Sequence, residues 1–175
     1  MASYRRTFSS NGSYFYTLKK NPQHIGTLTE SVQLLEKALR QALMFYPGIV
    51  QAMVVLPDHL HMMLTFPKDV SYQEAFIRSF KKSFTQLLAN LGLVRALTPN
   101  HPNYVWRADY WQVYLSDEQD WLKHLQYLHF NPVYHGLVKQ VKDWPYSTFH
   151  QYVEDGLADM DWSLSELITG EFGEP

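Results

Sequence analysis

The 175-residue sequence contains no cysteine, no long apolar run and no lysine or arginine after position 153. Without cysteine the chain has no disulfide bond, no thiolate metal ligand and no thiol nucleophile, and this composition fits a reducing compartment. No apolar run approaches the roughly 20 residues that span a membrane, and the N-terminal segment MASYRRTFSS lacks the apolar core of a signal peptide. We therefore expect a cytoplasmic protein that has no membrane partner.

The net charge of −2 averages two parts of opposite charge. Residues 154–175 carry seven acidic side chains and no lysine or arginine, so residues 1–153 hold all 15 basic side chains against 10 acidic ones. We predict one basic domain over 1–153, which permits a phosphate-bearing partner. We further predict an acidic tail over 154–175 that docks in part through apolar side chains, namely Trp162, Leu164, Leu167 and Ile168.

Strand and helix patterns alternate in a regular order along the first two thirds of the chain. Strand patterns rich in aromatic and β-branched residues cover Ser13–Lys19, Ile49–Leu56, His59–Phe66 and Tyr104–Leu115. Helical patterns, each opened by a capping box, cover Thr27–Tyr46 and Ser71–Leu91. The order is βαββαβ, so we predict an α+β, ferredoxin-like fold with an antiparallel sheet. Its helices should lie on one sheet face, which leaves the other face open for a ligand.

A third helix follows the last predicted strand. Ser116 and Gln119 form the S-x-x-Q pattern of a capping box at its start. Pro132 disfavours helical geometry in the residue before it. We therefore predict a helix from Ser116 to about Phe130 or Asn131.

Two histidines stand close together in the stretch Met53–Phe66, at the start of one predicted strand. Because successive side chains of a strand point to opposite faces, His59 and His61 share one face with Met63, while the other face is apolar. Two neighbouring imidazoles on one face can bind a single metal ion. A hydrogen-bonded structural pair is the alternative, and an isolated H-x-H pattern by itself favours that alternative.

The third predicted helix carries groups that suit phosphodiester chemistry. His124, Tyr127 and Asn131 stand at positions i, i+3 and i+7, so they share one helix face. A hydroxyl, imidazoles and a carboxamide fit metal-assisted attack on a phosphodiester, in which the metal polarises a non-bridging oxygen. The ordinary tyrosine pKa of about 10 makes the phenol a weak nucleophile until its proton is removed. Since phenolate is a good leaving group, a phosphotyrosine bond can be reversed, as strand transfer requires.

Two groups of basic residues are candidates for contact with nucleic acid. Arg5 and Arg6 stand beside aromatic residues in the N-terminal arm, a combination that suits single-stranded DNA. Arg78, Lys81 and Lys82 form a stripe on the second predicted helix, opposite its apolar face. In both cases a solvated surface is the simpler interpretation, and phosphate contact is the alternative.

Six segments spread over about residues 4–152 read, in order, YRRTF, YFYTL, VVLPDHLHMML, VW, HLQYLHFNPVYHGLV and DWPYSTF. Together they resemble the REP-associated tyrosine transposases of the single-tyrosine HUH superfamily. The resemblance implies a ferredoxin-like fold, a divalent metal (Mg²⁺ or Mn²⁺) and cleavage of single-stranded DNA beside hairpins, through a 5′-phosphotyrosine intermediate with release of a 3′-OH. By position it makes His59 and His61 metal ligands, Tyr127 the nucleophile and Asn131 a further residue of the metal shell.

One segment departs from the family pattern. Relatives usually carry a basic stretch after VW, where this chain has Arg107-Ala108-Asp109 and Trp111-Gln112-Val113. Three hypotheses follow: a metal-dependent nickase and strand transferase acting at palindromic hairpins, a domesticated protein that binds hairpin DNA with weak or no cleavage, and a small-molecule metallohydrolase. The chain acts either as a monomer or as a homodimer in which the tyrosine helix serves the partner's site.

Overall fold

The computed structural model describes residues 12–24, 26–94, 105–164, 168 and 170–174. Its strands are β1 (Ser13–Lys19), β2 (Ile49–Val55), β3 (His59–Thr65) and β4 (Trp111–Tyr114). Its helices are α1 (Val32–Phe45), α2 (Gln73–Asn90), α3 (Glu118–Tyr134) and α4 (Phe149–Glu154), with 3-10 turns at Thr29–Ser31 and Val141–Asp143. The strands form one antiparallel sheet in the order β2-β3-β1-β4. The predicted α+β, ferredoxin-like fold, βαββαβ with an extra helix, is confirmed; the predicted Tyr104 and Leu167 positions lie outside the described residues.

The two central strands, β1 and β3, bring particular side chains together. In their antiparallel pairing Thr17 lies opposite His61, and Lys19 lies opposite His59. Directly paired residues of an antiparallel ladder point to the same sheet face. β1 therefore places a hydroxyl group and an ammonium group beside the two histidines.

Each sheet face is covered by a different set of helices. α1 and α2 pack on the face that carries Leu60 and Met62. α3 packs on the face that carries Phe15, Val54 and Met63. The prediction that this second face is open is therefore wrong. Most of its side chains are apolar, and burying them under α3 removes that surface from water.

The starts of α1 and α2 differ in how well they follow the capping-box patterns. Before α1, the Thr27 N–H donates to Glu30 Oε2 (2.8 Å) and the Glu30 N–H donates to Thr27 Oγ1 (3.4 Å), so that capping box is formed. The N-cap of α2 is Tyr72 and makes no side-chain cap bond, so the capping box predicted at Ser71 is wrong. Tyr72 instead ties the helix start to the connection between α1 and β2, since its hydroxyl donates to the carbonyl of Pro47 (2.6 Å).

α3 starts at a different cap from the predicted one. Asp117 is the N-cap, and its carboxylate accepts the N–H of Asp120 (2.9 Å). A charged acceptor at this position also interacts favourably with the helix dipole. The prediction that Ser116 caps the helix is wrong by one residue.

α3 also ends later than predicted, because it continues through Pro132 to Tyr134. A proline in a helix removes one N–H donor, and here only two helical residues follow it. The burial of Asn131 and Pro132 holds this last turn in place. As a consequence, Asn131 stays in the helix one turn after Tyr127.

Two aromatic side chains of the acidic tail pack against the domain. Trp162 packs with Phe149, and Phe172 packs with Phe15 and Tyr127. The end of the tail therefore reaches the sheet face that carries the histidines. No helix in the described ranges is both long and apolar enough to cross a membrane.

Candidate metal and tyrosine site

His59 and His61 lie side by side on the sheet face covered by α3, with their ring centroids 4.9 Å apart. Their side chains are buried, with exposed fractions of 1% and 0%. Met63, the next residue on this face, packs with Phe15 in the apolar core under α3. The histidines thus stand where that core gives way to polar groups.

Each imidazole has a polar partner at Nδ1. His59 Nδ1 lies 2.8 Å from Asp58 Oδ1, and His61 Nδ1 lies 2.8 Å from Thr17 Oγ1. The Thr17 hydroxyl donates its one proton to the carbonyl of Phe172 (2.5 Å), so it accepts the Nδ1–H of His61. The Asp58 carboxylate likewise accepts the Nδ1–H of His59. In its neutral form each ring therefore presents the lone pair of Nε2 to the site, as metal-ligating histidines do.

Burial and hydrogen bonding set the charges around these rings. Burial lowers the pKa of His61 to about 4, so this ring is neutral near pH 7. The hydrogen bond with His59 lowers the pKa of the Asp58 carboxyl, which keeps it ionised. Burial also lowers the pKa of His135, whose ring centroid lies 5.1 Å from that of His59. Neutral imidazole is the form that binds a metal ion.

Glu174 of the acidic tail brings its carboxylate to both Nε2 atoms. Oε1 lies 3.3 Å from His61 Nε2, and Oε2 lies 3.5 Å from His59 Nε2. Among the described residues neither buried Nε2 atom has a hydrogen-bond partner. Ligand atoms of the three residues lie within 4.8 Å of one another. Two imidazoles and a carboxylate are common donors to divalent metals, so the residues present fit such an ion.

Tyr127 lies in α3 against the histidine end of the sheet. Its ring centroid is 5.5 Å from that of His61. Its hydroxyl is buried and has no hydrogen-bond partner within the described ranges. Phe172 stacks flat on the Tyr127 ring, with centroids 3.6 Å apart and an interplanar angle of 10°. The tyrosine and the histidines therefore meet within a single chain.

Asn131 and His135 complete the polar surroundings of the carboxylate. Asn131 Nδ2 donates to Glu174 Oε1 (2.9 Å), whereas its buried Oδ1 has no partner in the part of the chain that the structure describes. His135 Nε2 lies 2.9 Å from Glu174 Oε2. The structure thus gathers the two predicted histidines and the predicted asparagine around one carboxylate, and it places the predicted tyrosine beside His61.

His124 occupies a structural position on the same helix. Its Nδ1 lies 2.8 Å from the carbonyl oxygen of Asp120, one turn earlier in α3. Its ring packs between Phe15 and Phe172, with centroids 4.9 Å and 5.1 Å away. His124 therefore supports the packing around Tyr127 and does not line up with the metal-ligand candidates.

The predicted basic residues of α2 lie away from this site. Arg78 and Lys82 are exposed on α2, which packs on the opposite face of the sheet. Lys81 Nζ lies 3.0, 3.5 and 3.3 Å from the backbone carbonyl oxygens of residues 107, 108 and 109. Burial lowers the pKa of Lys81 to about 8. Arg5 and Arg6 lie outside the described residues.

Several residues of the site, including Thr17, Lys19 and Glu174, were not among the sequence candidates. Thr17 and Lys19 touch it from β1, and Lys19 Nζ donates to the backbone carbonyl of Glu174 (2.6 Å). The alternation of β1, combined with its pairing to β3, could have identified both residues. Glu174 carries no such signal, because it follows the histidines by more than a hundred residues and no local pattern links them.

No family model matches the chain. The chain is 33% identical over 166 residues to a protein of Haemophilus influenzae named as a REP-associated tyrosine transposase, with 93% of each chain covered. It is 34% identical over 173 residues to the REP-associated tyrosine transposase of Escherichia coli K12, with 98% of each chain covered. A solved structure of a REP-associated tyrosine transposase bound to a REP hairpin is 31% identical, with a TM-score of 0.76, covering 99% of this chain and 94% of that chain. These similarities extend over nearly the full sequence.

Proposed function

This chain belongs to the REP-associated tyrosine transposases, and from that premise we propose that it is a metal-dependent enzyme that cuts and rejoins single-stranded DNA at palindromic hairpins. The observation that carries the proposal is the position of Tyr127, whose ring centroid lies 5.5 Å from that of His61. Its buried hydroxyl has no hydrogen-bond partner among the described residues. Buried polar groups are nearly always paired, so an unpaired hydroxyl beside two histidines suits a reacting group.

Tyr127 is the proposed nucleophile. Its oxygen forms a bond to the phosphorus of the scissile phosphodiester while the bond from phosphorus to the 3′-oxygen breaks. The phenol loses its proton and the 3′-oxygen gains one, which leaves a 5′-phosphotyrosine and a free 3′-OH. Attack of a 3′-OH on the phosphotyrosine reverses the step and joins strands. Because the tyrosine and the histidines belong to the same chain, one protomer holds the whole proposed reaction centre.

His59 and His61 are the proposed ligands of a divalent ion, Mg²⁺ or Mn²⁺, with Asn131 as a further residue of the same shell. When bound, such an ion would stabilise negative charge on a non-bridging phosphate oxygen. The chain itself orients the two imidazole rings and excludes water from them. Asp58 and Thr17 fix the tautomers of the two rings, and burial keeps the rings away from water.

Single-stranded or hairpin DNA is the proposed partner. The solved relative is bound to a REP hairpin, and residues 1–153 carry an excess of basic side chains. Arg78, Lys81 and Lys82 on α2 are proposed to hold phosphates outside the cleavage site, and Arg5 and Arg6 of the N-terminal arm are proposed to contact phosphates as well. The position of α2 on the opposite sheet face supports contacts with a part of the hairpin distant from the scissile bond.

Tyr127→Phe tests the proposed nucleophile. With a hairpin oligonucleotide and Mn²⁺, the wild-type protein should form a covalent DNA adduct that survives denaturation in SDS, and Tyr127→Phe should form none while binding the oligonucleotide with similar affinity. Tyr134→Phe is the matched control, because Tyr134 lies on the same helix and is 52% exposed. This control should form the adduct normally. An adduct on Tyr127→Phe would show that another residue is the nucleophile.

A hairpin-binding protein without cleavage activity is the second candidate. Arg107, the single basic residue of 107–113, makes two hydrogen bonds with Asp109 (3.0 and 3.1 Å), so its guanidinium is less available to DNA. If this candidate is correct, the wild-type protein and Tyr127→Phe will both bind the hairpin, and neither will form an adduct in the presence of Mn²⁺.

A further inference from the structure

The Nε2 atoms of the histidine pair and the carboxylate of Glu174 face one another as lone pairs and negative charge. Because Asp58 and Thr17 accept the Nδ1 protons, Nε2 of His59 and His61 carries a lone pair. The carboxylate oxygens of Glu174 lie 3.5 Å and 3.3 Å from these nitrogens. Lone pairs and negative charge repel one another at such distances in a buried place. A cation shared by the three groups turns this repulsion into attraction.

The spacing of these atoms suits one shared ion. Divalent ions hold nitrogen and oxygen ligands at about 2.0–2.2 Å, so two neighbouring ligands of one ion lie roughly 3.0–3.5 Å apart. The separations of 3.3 Å and 3.5 Å between the carboxylate and the imidazoles fall within this range. Neither Nε2 atom makes a hydrogen bond that meets normal geometry within the described ranges, so neither is committed to another protein group.

The backbone of the tail is fixed beside the histidines. Thr17 Oγ1 donates to the carbonyl of Phe172 (2.5 Å), and Lys19 Nζ donates to the carbonyl of Glu174 (2.6 Å). Both donors come from β1, the strand that pairs with the histidine strand. Phe172 is buried and stacks on Tyr127. Glu174 is therefore carried to the histidines by an anchored segment.

Gly173 allows the tail to pass close to β4. Its φ of +68° lies in the left-handed region that favours glycine. A Cβ atom at this position would lie 2.3 Å from Cβ of Trp111, which no real contact permits. Any other residue would push the tail, and Glu174 with it, away from the site.

The carboxylate itself is oriented by two side chains at the C-terminal end of α3, one in its last turn and one just after it. Asn131 Nδ2 donates to Oε1 of Glu174 (2.9 Å), and His135 Nε2 lies 2.9 Å from Oε2. Hydrogen bonds of this kind hold the ligands of a metal ion in position. The arrangement places each carboxylate oxygen between a partner on α3 and an imidazole on β3.

We propose that Glu174 is a ligand of the divalent ion together with His59 and His61. The inference rests on the proposed function, which supplies the ion, and it adds a charged ligand from the acidic tail. Carboxylate oxygens bind hard cations such as Mg²⁺ and Mn²⁺ well. The tail thus contributes to the affinity for the ion, and its loss weakens metal binding even where His59 and His61 are intact.

Calorimetric titration of the metal-free, full-length protein with Mn²⁺ tests this role. Glu174→Gln keeps the shape of the side chain and removes its charge, and it should weaken Mn²⁺ binding by at least the roughly 10–100-fold that loss of a residue supporting a metal ligand typically causes. Glu174→Asp keeps the charge but shortens the side chain by one methylene, and it should also weaken binding, which a purely electrostatic effect would not do. Glu171→Gln changes an exposed residue of the same tail and is the matched control. It should bind Mn²⁺ like the wild type.

His59→Ala and His61→Ala separate this inference from the proposed function. If either variant loses Mn²⁺ binding while Glu174→Gln and Glu174→Asp bind like the wild type, Glu174 is not a ligand and the histidine site stands. If both histidine variants, shown to be folded by circular dichroism, bind Mn²⁺ like the wild type, the proposed metal site itself is wrong.

Discussion

Replacing Thr17 with valine would remove the hydrogen bond that fixes the tautomer of His61 while keeping the shape of the side chain. Thr17 is 0% exposed, and its Oγ1 lies 2.8 Å from His61 Nδ1 and 2.5 Å from the carbonyl oxygen of Phe172. The variant leaves the Nδ1–H of a fully buried ring without its acceptor and the carbonyl of Phe172 without its donor. One buried unsatisfied donor lowers the free energy of unfolding by about 1–3 kcal/mol, and we expect a loss of that size.

The same variant should also weaken metal binding. Without the Thr17 acceptor, the proton of His61 can move to Nε2, and that tautomer has no lone pair for a metal ion. The tail loses one of its two anchors on β1 as well. Hydrogen bonds that orient a ligating histidine change metal affinity by about 10–100-fold, so we expect Mn²⁺ to bind more weakly by that factor.

Urea unfolding and Mn²⁺ titration measure the two effects of Thr17→Val on one preparation. Ser13→Ala is the matched control, because Ser13 Oγ hydrogen-bonds Thr65 Oγ1 (2.8 Å) across the same strand pair, at the end of β1 farther from the histidines. This control should lose stability and keep the wild-type Mn²⁺ affinity. If Thr17→Val lost stability but bound Mn²⁺ as tightly as the wild type, the proposed control of the His61 tautomer would be refuted.

Three further predictions concern the tail, α2 and the buried His129. Gly173→Ala would place a methyl group against Trp111, so limited proteolysis should cut the tail faster and Mn²⁺ should bind more weakly; wild-type values for both would contradict the anchoring of the tail. Replacing Arg78 and Lys82 by alanine should weaken DNA binding and leave Mn²⁺ affinity unchanged. The slope of the logarithm of DNA affinity against the logarithm of salt concentration should fall by roughly one or two, the value for one or two lost phosphate contacts. An unchanged slope would exclude phosphate contacts by these residues. Burial lowers the pKa of His129 from 6.5 to about 3, so below pH 6.5 the unfolded chain takes up a proton that the folded chain does not. The contribution of His129 to the free energy of unfolding should therefore fall by up to about 1.4 kcal/mol per pH unit as the pH decreases toward 3. In urea unfolding between pH 7 and 4, the free energy of unfolding of His129→Gln should depend less steeply on pH than that of the wild type. An equal dependence would refute this assignment.

The features that local patterns determine were predictable from the sequence. The alternation of side chains along β3 predicted that His59 and His61 share one face of the strand. Helical spacing predicted that Tyr127 and Asn131 share one face of α3. The meeting of these two faces within one chain was not predictable from spacing. It depends on α3 crossing the sheet face that the βαββαβ pattern left open, and only the packing of the apolar side chains determines that position.

The two wrong predictions for the ends of α3 share a physical cause, since in each of them a local preference competes with a neighbour or with tertiary contacts. Ser116 and Asp117 are both good N-caps, and the choice depends on which of them reaches a free N–H. Pro132 normally marks the end of a helix, but burial keeps it helical here. Glu174 depends on tertiary contacts with β1 and α3 and on a left-handed glycine, none of which leaves a local signal.

Identification of the residue that carries DNA tests the central proposal most directly. The wild-type protein is incubated with a hairpin oligonucleotide and Mn²⁺, denatured and digested with trypsin, which releases the peptide His124–Lys139 with both Tyr127 and Tyr134. Fragmentation of this peptide in a mass spectrometer locates the attached nucleotide. We predict a phosphate-linked nucleotide on Tyr127. Attachment to Tyr134 or to another residue, or cleaved DNA without any adduct, would contradict the proposed mechanism.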